Sequence, residues 1–67
     1  MLGDNIRAER NRLRMTQREL ADKVGIATLT LQKYEANTME PGIGIACRLA
    51  QELHIGLDEL TIHKEVE

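Results

Sequence analysis

The sequence predicts an all-α fold, a compact five-helix bundle, on three observations. Apolar residues recur at helical spacings through most of the chain, and strand-like alternation is confined to the last seven residues. Start and stop signals then cut that pattern into short pieces: Asp4, Thr16 with Glu19, Gly25, Pro41 and Gly56. The length, 67 residues with no linker or low-complexity tract, fits one unit spanning residues 1–67. A chain this short hides only about 60% of the surface its unfolded form exposes, so its core must be tight or completed by a partner.

The first helix is expected to start at Asp4 as N-cap and run to about Arg14, with Ile6 and Leu13 on one face. Arg10 shares that face, and an arginine in an apolar stripe must either snorkel outward or meet a carboxylate. Thr16-Gln17-Arg18-Glu19 reads as a capping box that opens the second helix. Leu20, Ala21 and Val24 form its inner face, Gly25 supplies a left-handed end, and Ile26 restarts the apolar pattern. The third helix, about Thr28 to Ala36, is expected to bury Ala27, Leu31 and Tyr34, leaving Leu29, Gln32, Lys33 and Ala36 outward and Thr28 at the exposed start. Pro41 opens a fourth helix that buries Ala46, Leu49, Ala50 and Leu53. After a break at His54–Gly56, a short fifth helix carries Leu57 and Leu60. The tail, residues 61–67, fits a strand or a helical extension, because Ile62 and Val66 suit both periods.

Composition narrows the function classes. A single cysteine cannot form an internal disulfide, and Cys47, His54 and His63 lack metal-ligand spacing, so a core cysteine with two surface histidines is expected and no metal. The longest apolar run is three residues, with neither a membrane span nor a leader, which leads to the expectation of a soluble cytoplasmic protein. Thr16, Thr28, Thr30 and Thr38 have no nearby base and there is no glycine-rich phosphate loop, so neither an enzyme nor a cofactor is expected. A net charge of -2 would argue against nucleic acid, but the charge is polarised. Residues 1–34 carry seven bases and four acids (+3), whereas residues 35–67 carry two bases and seven acids (-5).

The connection between helices two and three, about three residues centred on Gly25, suits two helices meeting near a right angle, a helix-turn-helix over about residues 17–36. The string Gln17-Arg-Glu-Leu20-Ala21-Asp-Lys-Val24-Gly25-Ile26, then Leu31, Tyr34 and Glu35, resembles the lambda repressor and Cro-like (Xre) DNA-binding domains. The likeness extends over about residues 6–60, through Pro41, Arg48-Leu49-Ala50-Gln51-Glu52-Leu53 and Leu57-Asp58-Glu59-Leu60. It implies that Arg10 finds its carboxylate in Glu35, tying the first helix to the third. It departs from the family pattern at Ala27, where a capping Ser is usual, at Asn37 in place of a glycine, at Gly42 and Gly44, and at His54.

Helix-turn-helix docking puts the third helix in the major groove and the second across the backbone. Thr28, Leu29, Gln32 and Lys33 are the candidate base readers: Gln32 for an adenine edge, Lys33 for guanine or phosphate, Leu29 or the Thr28 methyl for a thymine methyl. Gln17, Asn37 and Thr38 are expected at phosphate, with Arg10 and Arg14 as further candidates. Leu57, Leu60, Ile62 and Val66 form an apolar edge expected to serve a homodimer interface. A two-fold dimer sets two reading helices about 34 Å apart and so matches a palindromic operator in double-stranded DNA. The expected function is therefore a transcriptional regulator, a repressor. The rival reading is a helical protein-interaction module, antitoxin- or adaptor-like, which uses the fold without reading an operator and which the acidic second half would suit.

Overall fold

A computed structural model describes residues 2–61 of the chain. It contains α1 (Leu2–Arg12), α2 (Gln17–Val24), α3 (Thr28–Glu35), α4 (Ile43–Glu52) and α5 (Leu57–Thr61), with no strand among the described residues. Helix α1 packs on α3 and α5, α2 on α3 and α4, and α4 on α5. Each helix sends a large aliphatic side chain to the centre: Ile6, Leu20, Leu31, Leu49 and Leu60 are all fully buried, as is Leu53 at the end of α4. Ala21 is equally buried, and its small side chain lets α3 cross close over α2.

Local chemistry explains the boundaries. The Thr16 hydroxyl accepts from the Glu19 amide (3.0 Å) and the Glu19 carboxylate from the Thr16 amide (2.8 Å), closing the capping box. Gly25 ends α2 at φ 87°, and its amide and that of Ile26 both donate to the Ala21 carbonyl. Two further left-handed residues are not glycines: Asn37 (φ 61°) follows α3, and His54 (φ 60°) follows α4.

Several expectations are corrected. Helix α1 begins at Leu2, so Asp4 lies in its first turn rather than at its cap, where its charge still suits the helix dipole. The helix stops at Arg12 because Arg14 turns left-handed (φ 58°) and its amide bonds the Asn11 carbonyl at 2.9 Å. Helix α4 starts at Ile43 with Gly42 as its N-cap, two residues after Pro41 would have opened it. Ala27, expected inside, is exposed as the extended N-cap residue of α3. Cys47 is exposed, because Ala46, Leu49 and Ala50 take the inner face of α4. Leu60, expected on a free apolar edge, is fully buried in the chain's own core, and Leu57 packs partly buried against that core. Ile62 and Val66 lie outside the described residues.

Candidate nucleic-acid interface

Helix α3 is two-faced. Leu31, Tyr34 and Glu35 turn inward, while Leu29, Gln32 and Lys33 are exposed and Thr28 is half-buried at the first turn. Leu29 is 60% exposed, an aliphatic group held in water where nothing in the fold needs it. With Gln32 and Lys33 just under and just over one helical turn further along, the outward face offers an apolar surface, a carboxamide with both donor and acceptor, and a cation. No side chain caps the start of α3 and no acid occupies its first turn, so its first amides and positive dipole end are left open.

A polar joint behind that face holds the helix. The Arg10 guanidinium donates through Nε to Glu35 Oε2 at 2.7 Å and through Nη2 to Glu35 Oε1 at 3.1 Å. Its Nη1 reaches the Met15 carbonyl at 2.8 Å, and Gln17 Nε2 donates to Glu35 Oε1 at 3.1 Å. The side chains of Arg10 and Glu35 are only 12% and 3% exposed. The joint therefore binds α1, the start of α2 and the end of α3 into one unit. No buried side-chain nitrogen or oxygen among the described residues lacks a partner.

The residues expected at phosphate are placed unequally. Arg10 is committed to the interior, and Gln17 has spent one of its two amide protons on Glu35. The Asn37 amide donates to the Tyr34 carbonyl and the Thr38 amide to the Lys33 carbonyl, both at 3.1 Å, so both amides close the end of α3. The Thr38 hydroxyl also donates to the Lys33 carbonyl at 3.1 Å, and the Asn37 carboxamide bonds Gly3 and Asp4 of α1. Arg14 is exposed in the turn before α2.

Residues that sequence reasoning passed over turn out to fasten the frame. Gly3 is buried where a Cβ would meet the Tyr34 and Glu35 carbonyls. Three arginines donate to helix-end carbonyls: Arg7 to Glu35 (3.5 Å), Arg12 to Leu53 (3.2 Å) and Arg48 to Val24 (3.5 Å). Their type was a usable signal, since cations favour helix C-termini, but which carbonyl each one meets depends on tertiary contacts. Among the described residues no group of three His, Cys, Asp or Glu is gathered to hold a metal, and no helix is long and apolar enough to cross a membrane.

A capped α2, a tight turn at Gly25 and an α3 with one face locked and the other displayed define a helix-turn-helix domain. The chain belongs to the helix-turn-helix family of the Xre and lambda repressor type, whose model matches residues 6–60. Among solved structures it is similar to the P22 c2 repressor in complex with the synthetic operator 9T (28% identity, TM-score 0.86, covering 90% of this chain and 91% of that one). It is also similar to SinR of Bacillus subtilis, the master regulator for biofilm formation, in complex with DNA (28% identity, TM-score 0.85, covering 90% of this chain and 97% of that one). In the complex of SinR with SinI the likeness covers 97% of this chain but 64% of the matched one, at 27% identity and TM-score 0.90. No curated protein matches the sequence.

Proposed function

We propose that this chain is a DNA-binding transcriptional regulator, a cytoplasmic repressor that binds a palindromic operator as a homodimer and performs no catalysis. The carrying observation is the exposed Leu29, Gln32 and Lys33 face on a helix whose other face is fixed by Arg10 and Glu35. That rigidity matters because reading a base edge requires donors and acceptors to arrive already placed. Thr28, Leu29, Gln32 and Lys33 read bases, with Gln32 spanning an adenine edge and Leu29 against a thymine methyl. Gln17, Thr38 and Arg14 contact phosphate. The P22 c2 repressor and SinR, both solved with DNA, support this reading. Residues 1–67 act as one unit, and Leu57 with Ile62 and Val66 supplies the dimer contact that Leu60, being internal, does not.

A random-duplex selection followed by a salt titration tests the proposal. The expected result is a palindromic consensus with a steep negative dependence of log affinity on log salt. The competing reading is a protein-interaction module, and the SinR complex with SinI keeps it specific. No enriched sequence, together with tight binding of a protein partner, would replace the operator reading with that one.

A further inference from the structure

We propose that Asn37 is a positioning residue for the reading helix, acting through the first turn of α1 rather than on phosphate. It stands two residues beyond the end of α3 at φ 61°, a conformation that glycine would serve without strain. What glycine could not supply is the carboxamide, which is turned back onto α1. Its Oδ1 accepts the Gly3 amide at 2.9 Å, and its Nδ2 donates to the Asp4 carboxylate at 3.3 Å. The Gly3 amide belongs to the first turn of α1 and has no acceptor inside its own helix, so Asn37 supplies its partner. Gly3 makes the approach possible: a Cβ there would stand 2.6 Å from Asn37 Oδ1 and 2.9 Å from the Glu35 carbonyl, and would meet the Tyr34 carbonyl as well.

The consequence is geometric. Arg10 on the Glu35 carboxylate and Arg7 on the Glu35 carbonyl both fasten α1 to the same residue of α3, and attachment at one residue leaves a pivot. The Gly3–Asn37 latch lies seven residues from Arg10 along α1, about 10 Å at helical rise, and removes that pivot. Leu29 sits six residues before Glu35, a lever of about 9 Å from that pivot, so a tilt of ~10° would displace it by ~1.6 Å. A shift of that size exceeds the tolerance of a hydrogen bond to a base edge but leaves general attraction to phosphates almost unchanged.

The DNA arm of the test rests on the operator reading above; the exchange arm does not. Asn37→Gly keeps the left-handed backbone and removes the latch, and Gly3→Ala forces the same joint apart from the α1 side. Circular dichroism first establishes that each variant is folded. In Asn37→Gly the Gly3 amide hydrogen should exchange about an order of magnitude faster, because its acceptor is gone. The second readout compares affinity for the duplex recovered by selection with that for a scrambled duplex of equal length. Both variants should lower the ratio about fivefold, the loss expected of an ordinary hydrogen bond, at an unchanged salt slope. Unchanged Gly3 exchange would overturn the latch. An equal fall on both duplexes in Asn37→Gly, with Gly3→Ala behaving as the parent, would overturn positioning in favour of phosphate contact. If Gly3→Ala fails to fold, the ratio in Asn37→Gly decides, and if neither duplex binds, the operator reading falls while the exchange rate still judges the latch.

Discussion

Removing Arg10 should cost far more than removing the carboxylate it holds. In Arg10→Met the Glu35 carboxylate, 3% exposed, keeps only Gln17 Nε2 as a partner and has no route to water. Breaking a buried pair in this way costs about 3–5 kcal/mol. A domain of this size has a total stability of about 3–10 kcal/mol, so the variant should sit close to its unfolding threshold. Glu35→Leu differs, because the orphaned arginine is longer, 12% exposed and still bonded to the Met15 carbonyl, so it can swing its head outward. Its loss should be nearer 1–2 kcal/mol, roughly that of ordinary hydrogen bonds to a charged group. The double variant Arg10→Met with Glu35→Leu should recover most of the loss, since apolar replacement of a buried pair is often neutral. Urea unfolding followed by circular dichroism at constant m-value gives all three numbers and the coupling energy. Two single variants of equal cost whose effects simply add would refute the joint as the element that locks α3.

Four further outcomes follow from the same geometry. Gln32→Ala should relax preference at one base step, whereas Gln17→Ala should weaken all duplexes alike, both read by competition binding against single-step operator variants. Replacing thymine by deoxyuridine at the step facing Leu29 should weaken binding several-fold in the parent and leave Leu29→Ala indifferent; equal losses in both would dismiss the methyl contact. Ala27→Ser restores a side-chain cap to the bare start of α3 and should add about 1 kcal/mol, visible as a rise of several degrees in the thermal midpoint. Gly25→Ala should lower that midpoint, because φ 87° strains any residue with a Cβ.

Local signals carried the framework. The capping box at Thr16 and Glu19, the glycine stop at Gly25 and the inward positions Leu20, Ala21, Val24, Leu31 and Tyr34 depend on neighbours a few residues apart, and those were legible. The lone arginine on an apolar face demanded a carboxylate, and the family resemblance pointed to Glu35. What stayed hidden depended on distant partners. Nothing near Gly3 marks it as the contact point for a turn 34 residues away. Arg14 adopts a left-handed turn although its residue type does not favour one, and so α1 ends two residues before its sequence pattern does. Leu60 followed the pattern of a free edge, but α5 rotates it into the space between α1 and α4. The Asn5 side chain then fixes that placement by donating to the Leu60 carbonyl at 2.9 Å.

The arginines also change what the charge means. Residues 1–34 carry a net +3, yet Arg7, Arg10 and Arg12 each reach a carbonyl elsewhere in the fold, and Arg48 does the same from α4. Arg7 and Arg12 carry acids besides, Asp4 at 3.3 Å and Glu9 at 2.6 Å. Among the described residues, Arg14, Arg18, Lys23 and Lys33 are the cations with neither an ion pair nor a hydrogen bond to a carbonyl of the fold, and counterion release by those four charges gives a salt slope of about -4 per protomer. Such a footprint holds non-specific DNA weakly, which favours discrimination: little affinity is wasted on random sequence, and base contacts make up a larger share of the total. It also makes one protomer a poor ligand for any operator. Two reading helices held at a fixed spacing turn the second contact into an intramolecular one and recover affinity without adding charge, so an operator-binding role for this chain requires pairing in a way that a more basic domain would not.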